Sequence, residues 1–426
     1  MAIGPNRSAM NARSGWTHFL LEEGGEAMTN NEPGDHLLDV LNKIQELKPD
    51  LVSMSDFIFD HPEIGLQEVQ ASQLLSGYLK KNGFEIEMGY GGLPTAFRAV
   101  LRHGSGGPCI GLLCEYDAIE NVGHACGHQM QGPGVAGAAM AIQATVGDHP
   151  YTLEVIGTPS EESGEGGKTI MLRNGAFKHL DVALMMHGGD ATQTDIKAMA
   201  ITEFLVTFKG LAAHAAIAPD QGRSALDALL LVFNGIGFLR GNVRDDTRIN
   251  YIVENGGQAI GTIPEMAVAR IKLRSYQRPY LDQVIERFLR ILDGAALMTG
   301  TSCEVKKVVD LHNKIPVLSL NRLVMRNAER VKAKSIMPPR EKTGSTDFAS
   351  VMYFVPGTCI RVPFVEKGVP SHSQAWLHQG KSVQAHDALA LGAGILALTA
   401  LDLIEDGARL AEVQEEFRQE RARLAV

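Results

Sequence analysis

Short apolar runs that recur with helical segments between them constrain this chain more than any other feature of its sequence. TAFRAVLR (95–102), CIGLLCEYD (109–117), YTLEVIGTP (151–159) and DVALMMHG (181–188) are each too short for a typical globular helix. Most read as continuous apolar stretches rather than alternating ones, which is the pattern of strands covered on both faces. A small-residue segment between the second and third predicts a helix from about Gly134 to Val146. Residues 36–83 predict two amphipathic helices, with leucines at helical spacing in HLLDVLNKIQEL and ASQLLSGYLKKNG, separated by the Pro-containing break DHPEIGLQE. Alternating strands and helices of this kind define an α/β fold, a mostly parallel sheet sandwiched by helices.

Near residue 200 the pattern changes. ITEFLVTFKG is an alternating strand, followed by a helix over 222–240. INYIVENG and EMAVARIKLRSY are two strands around the turn cluster GGQAIGTIP. A helix over 279–298 and a strand near 301–309 complete a β-α-β-β-α-β order, the ferredoxin-like arrangement. After about Pro316 the α/β pattern resumes, with a helix over 318–332, then GSTDFASVMYFVPGTCIRV, GVPSHSQAW and a long apolar helix, HDALALGAGILALTALDLI. The expected organisation is a disordered extension over 1–34 (Met28 offers an alternative start), a catalytic domain over 35–198 and 312–426, and an inserted unit over 199–311.

Composition narrows the function. The formal net charge is −9 and there is no dense Lys/Arg stretch, which argues against nucleic acid as a partner. Five scattered cysteines do not form a disulfide framework, so a reducing compartment, the cytoplasm, is expected. No run approaches the roughly 18 apolar residues of a membrane helix, and no membrane partner is expected.

Residues able to carry chemistry collect at the ends of the apolar runs. HACGHQ (124–129) follows CIGLLCEYD, and Cys126 and His128, two apart, share one side if the segment is extended. TPSEESGEGG (158–167) follows the next run. Adjacent glutamates point in different directions, so one can bind a metal while its neighbour moves protons. His187 closes DVALMMH, and His372 sits in SHS after the last strand region. Singly, Cys126 reads as a core residue, each histidine as a hydrogen-bonded one and a Glu-Glu pair as solvated surface. Together they offer the N, O and S donors that a pair of zinc-like ions requires, at the sheet edge where such folds bind ligands.

HACGH, GTPSEESGEGGK, GAFKHLDVALMMH, FKGLAAHAAIAPDQGRSALDA, NGGQAIGTIPE and GSTDF followed by SHS, spread over about 36–404, resemble the aminoacylase/carboxypeptidase family of metal-dependent amidohydrolases, a zinc-exopeptidase-like fold. The resemblance implies that Cys126, His128, Glu162, His187 and His372 hold one or two divalent ions, Zn or Mn, per subunit. It implies that Glu161 is the general base. It implies that the inserted unit is a lid that joins two subunits into a homodimer, His214 reaching across to the partner's active site. Asn255 and Arg274 become lid residues that contact a small, carboxylate-bearing substrate. The expected reaction is hydrolysis of the amide bond of a small N-acyl amino acid, dipeptide or aryl-amide. Deamination of an aminobenzoate-type ring on the same metal site is the alternative. Two departures bear on the substrate. Gln129 stands where relatives usually carry Asp or Asn, and SHSQAW where they more often carry an acidic residue followed by Phe. His124 is expected to support the site rather than bind metal.

A third possibility is a dinucleotide-binding oxidoreductase, from the G-x-G-x-x-G of Gly132, Gly134 and Gly137. That fingerprint should follow its strand immediately, and here the HACGH segment intervenes. Tight packing of a helix behind the metal site is the expected role of these glycines.

Overall fold

A computed structural model describes residues 35–424; the extension expected over 1–34 lies outside the described residues. The chain opens with helices α1 (Leu37–Asp60) and α2 (Val69–Lys81). In α1 the buried residues Val40, Ile44, Leu51, Met54 and Ile58 recur at helical spacing and lie in the main core.

An eight-stranded sheet follows: β1 (Glu85–Met88), β2 (Phe97–His103), β3 (Cys109–Cys114), β4 (Tyr151–Gly157), β5 (Val182–Gly189), β6 (Gln193–Ala198), β11 (Arg340–Thr343) and β12 (Gly357–Pro363). Their order is β1-β2-β4-β3-β5-β12-β6-β11. The central strands β4, β3, β5 and β12 run parallel, so their C-terminal ends emerge along one edge. The fold is α/β with a mostly parallel large sheet, as the apolar runs required. The three strands absent from the expectation are β1, β6 and β11. β1 and β11 are four-residue edge strands and β6 lies next to the edge, and EIEM, QTDIKA and REKT carry charge instead of an apolar run.

Helix α3 (Gln131–Thr145) begins three residues earlier than expected. Its glycines serve close packing: a Cβ on Gly132, Gly134 or Gly137 would meet Leu75, Met186 or Leu51 at 2.4, 2.4 and 2.5 Å. Helix α10 (Val383–Glu405) lies against α3, α1 and β12. It corrects the expectation that no segment is long and apolar enough for a membrane span, since its 18-residue window has a mean hydropathy of 1.8. That window is 83% buried inside the protein, where α10 supplies the centre of the core.

The segment from 200 to 311 forms a second, antiparallel sheet, β10-β7-β9-β8, from β7 (Ala200–Lys209), β8 (Arg248–Asn255), β9 (Met266–Ser275) and β10 (Ser302–Leu311). Helices α5 (Ala225–Arg240) and α6 (Arg278–Thr299) pack on it, and Phe204, Phe208, Ile271 and Phe288 sit in this separate core. The strand and helix order is the expected β-α-β-β-α-β. Phe238 on α5 and Ile252 on the edge strand β8 are exposed. Between β10 and β11 runs α7 (Leu318–Arg330); α8 (Asp347–Phe354) precedes β12; α9 (Gln374–Gln379) precedes α10; α11 (Gly407–Leu424) follows it. The remaining short helix of the large sheet's face is α4 (Gly167–Arg173).

Candidate metal centre and active site

Each central strand delivers polar side chains as it leaves the sheet. β3 ends at Cys114 and is followed by the buried acids Glu115 and Asp117. The turn 123–127 then carries Cys126 and His128 back over that edge. The segment is not extended, which corrects the geometric premise for this pair: Gly127 adopts φ 85 and His128 opens a single 3-10 turn. A left-handed residue is needed to reverse the chain here, and only glycine adopts it without a Cβ penalty. Ser160 (φ 62), just after β4, and His372 (φ 63) also occupy the left-handed region without being glycine. Such residues cost on the order of 1–3 kcal/mol each and persist where surrounding contacts hold them. Ser160 is held by its N–H on the Glu68 carboxylate (2.8 Å), and His372 by its N–H on the Ala125 carbonyl (3.1 Å).

The five expected ligands converge. Donor atoms of Cys126, His128 and His187 lie within 4.8 Å of one another, as do those of Cys126, Glu162 and His372, and of His128, Glu161 and Glu162. Cys126 Sγ is 3.6 Å from His187 Nε2, and His372 Nε2 is 3.4 Å from Glu162 Oε1. Two of these atoms, His128 Nε2 and Glu162 Oε1, are buried without a hydrogen-bond partner among the described residues. Buried polar atoms are rarely left so, and a cluster of imidazole, thiol and carboxylate donors aimed at one space fits divalent ions.

The histidines are oriented from behind. His128 Nδ1 lies 3.1 Å from both the backbone carbonyl and the carboxylate of Asp117, which fixes Nε2 toward the cluster. The other Asp117 oxygen accepts the Glu162 N–H at 2.9 Å, so one acid sets both a histidine and the glutamate loop. His187 Nδ1 is 2.7 Å from the Gly188 carbonyl, leaving Nε2 to face Cys126. Burial and then the Arg361 charge push His187 down to about 3, a neutral imidazole able to bind metal. Burial pushes the Cys126 thiol up to about 12. His124, buried against Phe59, falls to about 4 through burial and the neighbouring His128, and its ring lies outside the donor clusters.

Glu161 lies among Glu115 and Asp347, with carboxylate oxygens within 4.8 Å. Burial, then those two negative charges, raise its carboxyl well above the ordinary range. Lys168, on α4, holds the acids together: its fully buried Nζ is 2.6 Å from Glu115 and 2.7 Å from Asp347. A cavity of about 670 Å³ opens over this floor, lined among others by Glu161, His187, His372, Arg361, Lys314 and Trp376. His214, Asn255 and Arg274 are not among its lining residues. His214 is exposed on the inserted unit, Asn255 ends β8, and Arg274 lies in β9 opposite Ile201 and Arg248.

Residues 111–401 match peptidase family M20/M25/M40. The chain belongs to that family. It is 30% identical over 88% of its length to the Xaa-Arg dipeptidase of Homo sapiens, covering 90% of that protein. It is 28% identical to a p-aminobenzoyl-glutamate hydrolase chain of Escherichia coli (strain K12), over 86% of this chain and 91% of that one. Among solved structures, a dinuclear metal binding peptidase of Bacillus subtilis superposes with a TM-score of 0.65 at 19% identity, over 85% of this chain and 99% of that one. Membership makes this M20/M25/M40 protein a metal-dependent amide-bond hydrolase. The sequence reading does not single out Glu115, Asp117, Lys168, Asp195, Lys314, Arg340, Asp347 or Arg361. The signal for three of them is present as charges inside or ending apolar runs, in CIGLLCEYD and GTCIRV.

Proposed function

We propose that the chain hydrolyses the amide bond of a small N-acyl amino acid, dipeptide or aryl-amide. In this proposal Cys126, His128, Glu162, His187 and His372 hold one or two divalent ions, zinc or manganese, and Glu161 is the general base. The observation that carries it is the meeting of these side chains at one sheet edge, with His128 Nε2 and Glu162 Oε1 buried and without a hydrogen-bond partner among the described residues. When bound, the metal supplies Lewis acidity that polarises the scissile carbonyl and makes water a better nucleophile. Glu161 takes the proton from the attacking water and returns it to the leaving nitrogen. Its raised proton affinity, from burial and from Glu115 and Asp347, suits that task. Asp117 keeps His128 in the tautomer that presents Nε2, and Lys168 keeps Glu115 and Asp347 from crowding Glu161 with unpaired charge.

The inserted unit over 199–311 is proposed to act as a lid and to join two subunits. The exposed edge strand β8, with Ile252, and the exposed Phe238 of α5 support this reading. His214 then reaches the partner's active site, and Asn255 and Arg274 stand ready on the lid. A reducing compartment such as the cytoplasm suits five cysteines that form no disulfide among the described residues.

The test separates coordination from proton transfer. Glu162→Ala is expected to lower the metal content measured by elemental analysis, while Glu161→Gln keeps the metal and loses about 100-fold or more in turnover. Product analysis should show a free amino acid; ammonia with untouched amides, or full activity in metal-free protein, contradicts the assignment.

A further inference from the structure

The turn over 241–247, which links α5 to β8 in the inserted unit, gathers positive charge that the fold does not neutralise. A cavity of about 380 Å³ opens beside it, lined by Arg240 from the end of α5, Arg244 from the turn and Arg248 from the start of β8, with Thr247 between the last two. Asp245 is the acid in that lining. The neighbouring Asp246 is committed elsewhere, accepting the Ser275 hydroxyl and the Tyr276 N–H at 2.8 Å each. Neutral acceptors and aromatic rings hold the three guanidiniums in place. Arg240 donates to the Ile249 carbonyl and lies 5.3 Å from the Tyr251 ring centre. Arg244 donates to Gln277 Oε1 at 2.6 Å and sits 4.1 Å over the Tyr280 ring, and Arg248 donates to the carbonyls of Asp245 and Thr247. Among the described residues none of the three pairs with a carboxylate. A guanidinium carries five N–H donors, so most of theirs stay free. Thr247 is a second, independent sign. It is 8% exposed, and its hydroxyl oxygen is buried without a hydrogen-bond partner among the described residues. A solvated arginine face accounts for the charges but not for a buried hydroxyl left idle beside them.

We propose that Arg240, Arg244, Arg248 and Thr247 form a phosphate site on the inserted unit. It shares no lining residue with the cavity over the metal centre, so it is a site apart from the hydrolytic one. Three arginines against one aspartate match the charge of about −1.5 to −2 that a phosphate monoester carries at neutral pH. A carboxylate brings one charge and two oxygens, too few for three forks, whereas a phosphate ester presents three strong acceptor oxygens to them. The Thr247 hydroxyl gains there the partner that the fold withholds. The cavity lies within the range of small-molecule pockets, about 300–1,000 Å³, which leaves room beyond the phosphate itself. The ligand class is therefore a small phosphorylated molecule, its phosphate on the arginines and its organic part along Val243.

Calorimetric titration of the metal-loaded full chain with ribose 5-phosphate, inorganic phosphate and acetate tests the site. The variants are Arg244→Gln with Arg248→Gln, Arg244→Lys with Arg248→Lys, and Thr247→Val. The wild type should take up one equivalent of ribose 5-phosphate per subunit that the glutamine pair weakens about 100-fold or more, the scale expected when two charged donors are lost. The lysine pair keeps the charge without the forks and should recover part of that loss, and Thr247→Val should weaken binding about 10-fold. Inorganic phosphate bound as tightly as the ester, and lost in the same variants, keeps the site and makes the free ion its ligand. Phosphate binding that the glutamine pair leaves untouched belongs to the metal centre and overturns the site. So does acetate bound as tightly as phosphate, or no phosphate binding at all. Binding that appears only once Phe238→Asp with Ile252→Lys has separated the subunits also overturns it, because the arginines then face a second copy of the chain.

Discussion

Lys168 is the most exposed point of this architecture to a single substitution. Its ammonium is fully buried between Glu115 and Asp347, each with a side chain 1% exposed. Lys168→Met keeps the stem volume and removes the charge, leaving two buried carboxylates facing Glu161. Glu115 retains the Gln131 amide (2.7 Å) and Asp347 retains the residue 168 backbone N–H (3.0 Å), so neither loses every donor. Breaking a buried pair by removing one partner costs about 3–5 kcal/mol. With an unfolding entropy of ~2.1 cal/mol/K per residue, a chain of this size converts that to a fall of roughly 3–6 °C in Tm. The sign of the pH dependence follows from linkage. Without Lys168 the folded state holds protons on these acids more tightly than the unfolded chain does, so the deficit grows as pH rises above the ordinary carboxylate range. Calorimetric melts of wild type and variant at about pH 5 and about pH 8 should show the larger gap at the higher pH, and Asp347→Asn added to Lys168→Met should recover part of it. An unchanged Tm at the higher pH, or a gap that widens in acid, would show that Lys168 does not neutralise these acids.

Three further outcomes are expected. Phe238→Asp with Ile252→Lys should shift the protein to monomer by light scattering, and inactive His214→Ala mixed with inactive Glu161→Gln should regain activity through mixed dimers; a dimer unaffected by the pair, or no rescue after verified exchange, counts against the lid interface or the trans histidine. Glu68, whose carboxyl is pushed up from 4.5 to about 7 mainly by burial and then by Asp117, binds its proton more tightly folded than unfolded, so it costs stability increasingly as pH rises through that window. Glu68→Gln should therefore gain Tm relative to wild type between about pH 5 and about pH 8, and a difference that stays flat across that range would contradict the burial argument.

The large sheet and the inserted unit are legible in the sequence because both are written in period. CIGLLC and VALMM fill a strand buried on both faces, while MAVARIKLRS alternates over a one-sided core. β6 and β11 are not, because QTDIKA and REKT gain their place from pairing and ion contacts rather than from apolar pattern. The proposed ligand residues show themselves by lying at strand ends. Their supports do not: Glu115, Lys168 and Asp347 come from three separate stretches of the chain, and no local spacing announces that they meet. Cys126 and His128 do share one side, but a glycine-driven turn brings them there in place of an extended segment. Arg361 reads as an ordinary strand charge, and only register with His187 gives it a neighbourhood.

The position of α10 in the chain bears on how the protein comes to be made. The unit over 200–311 is contiguous, and among the described residues its core draws on none outside it. The main core instead joins residues of α1 to those of α10 and α11. At roughly 5–20 residues per second, the ~90 residues between the inserted unit and the end of α10 take several seconds to synthesise. For that interval a nascent chain carries a finished unit while the apolar surfaces of α1 and α3 wait for the helix that covers them. An amber stop placed before Val383 should therefore yield a polypeptide that retains the folded insert and is held by chaperones or aggregates through the rest.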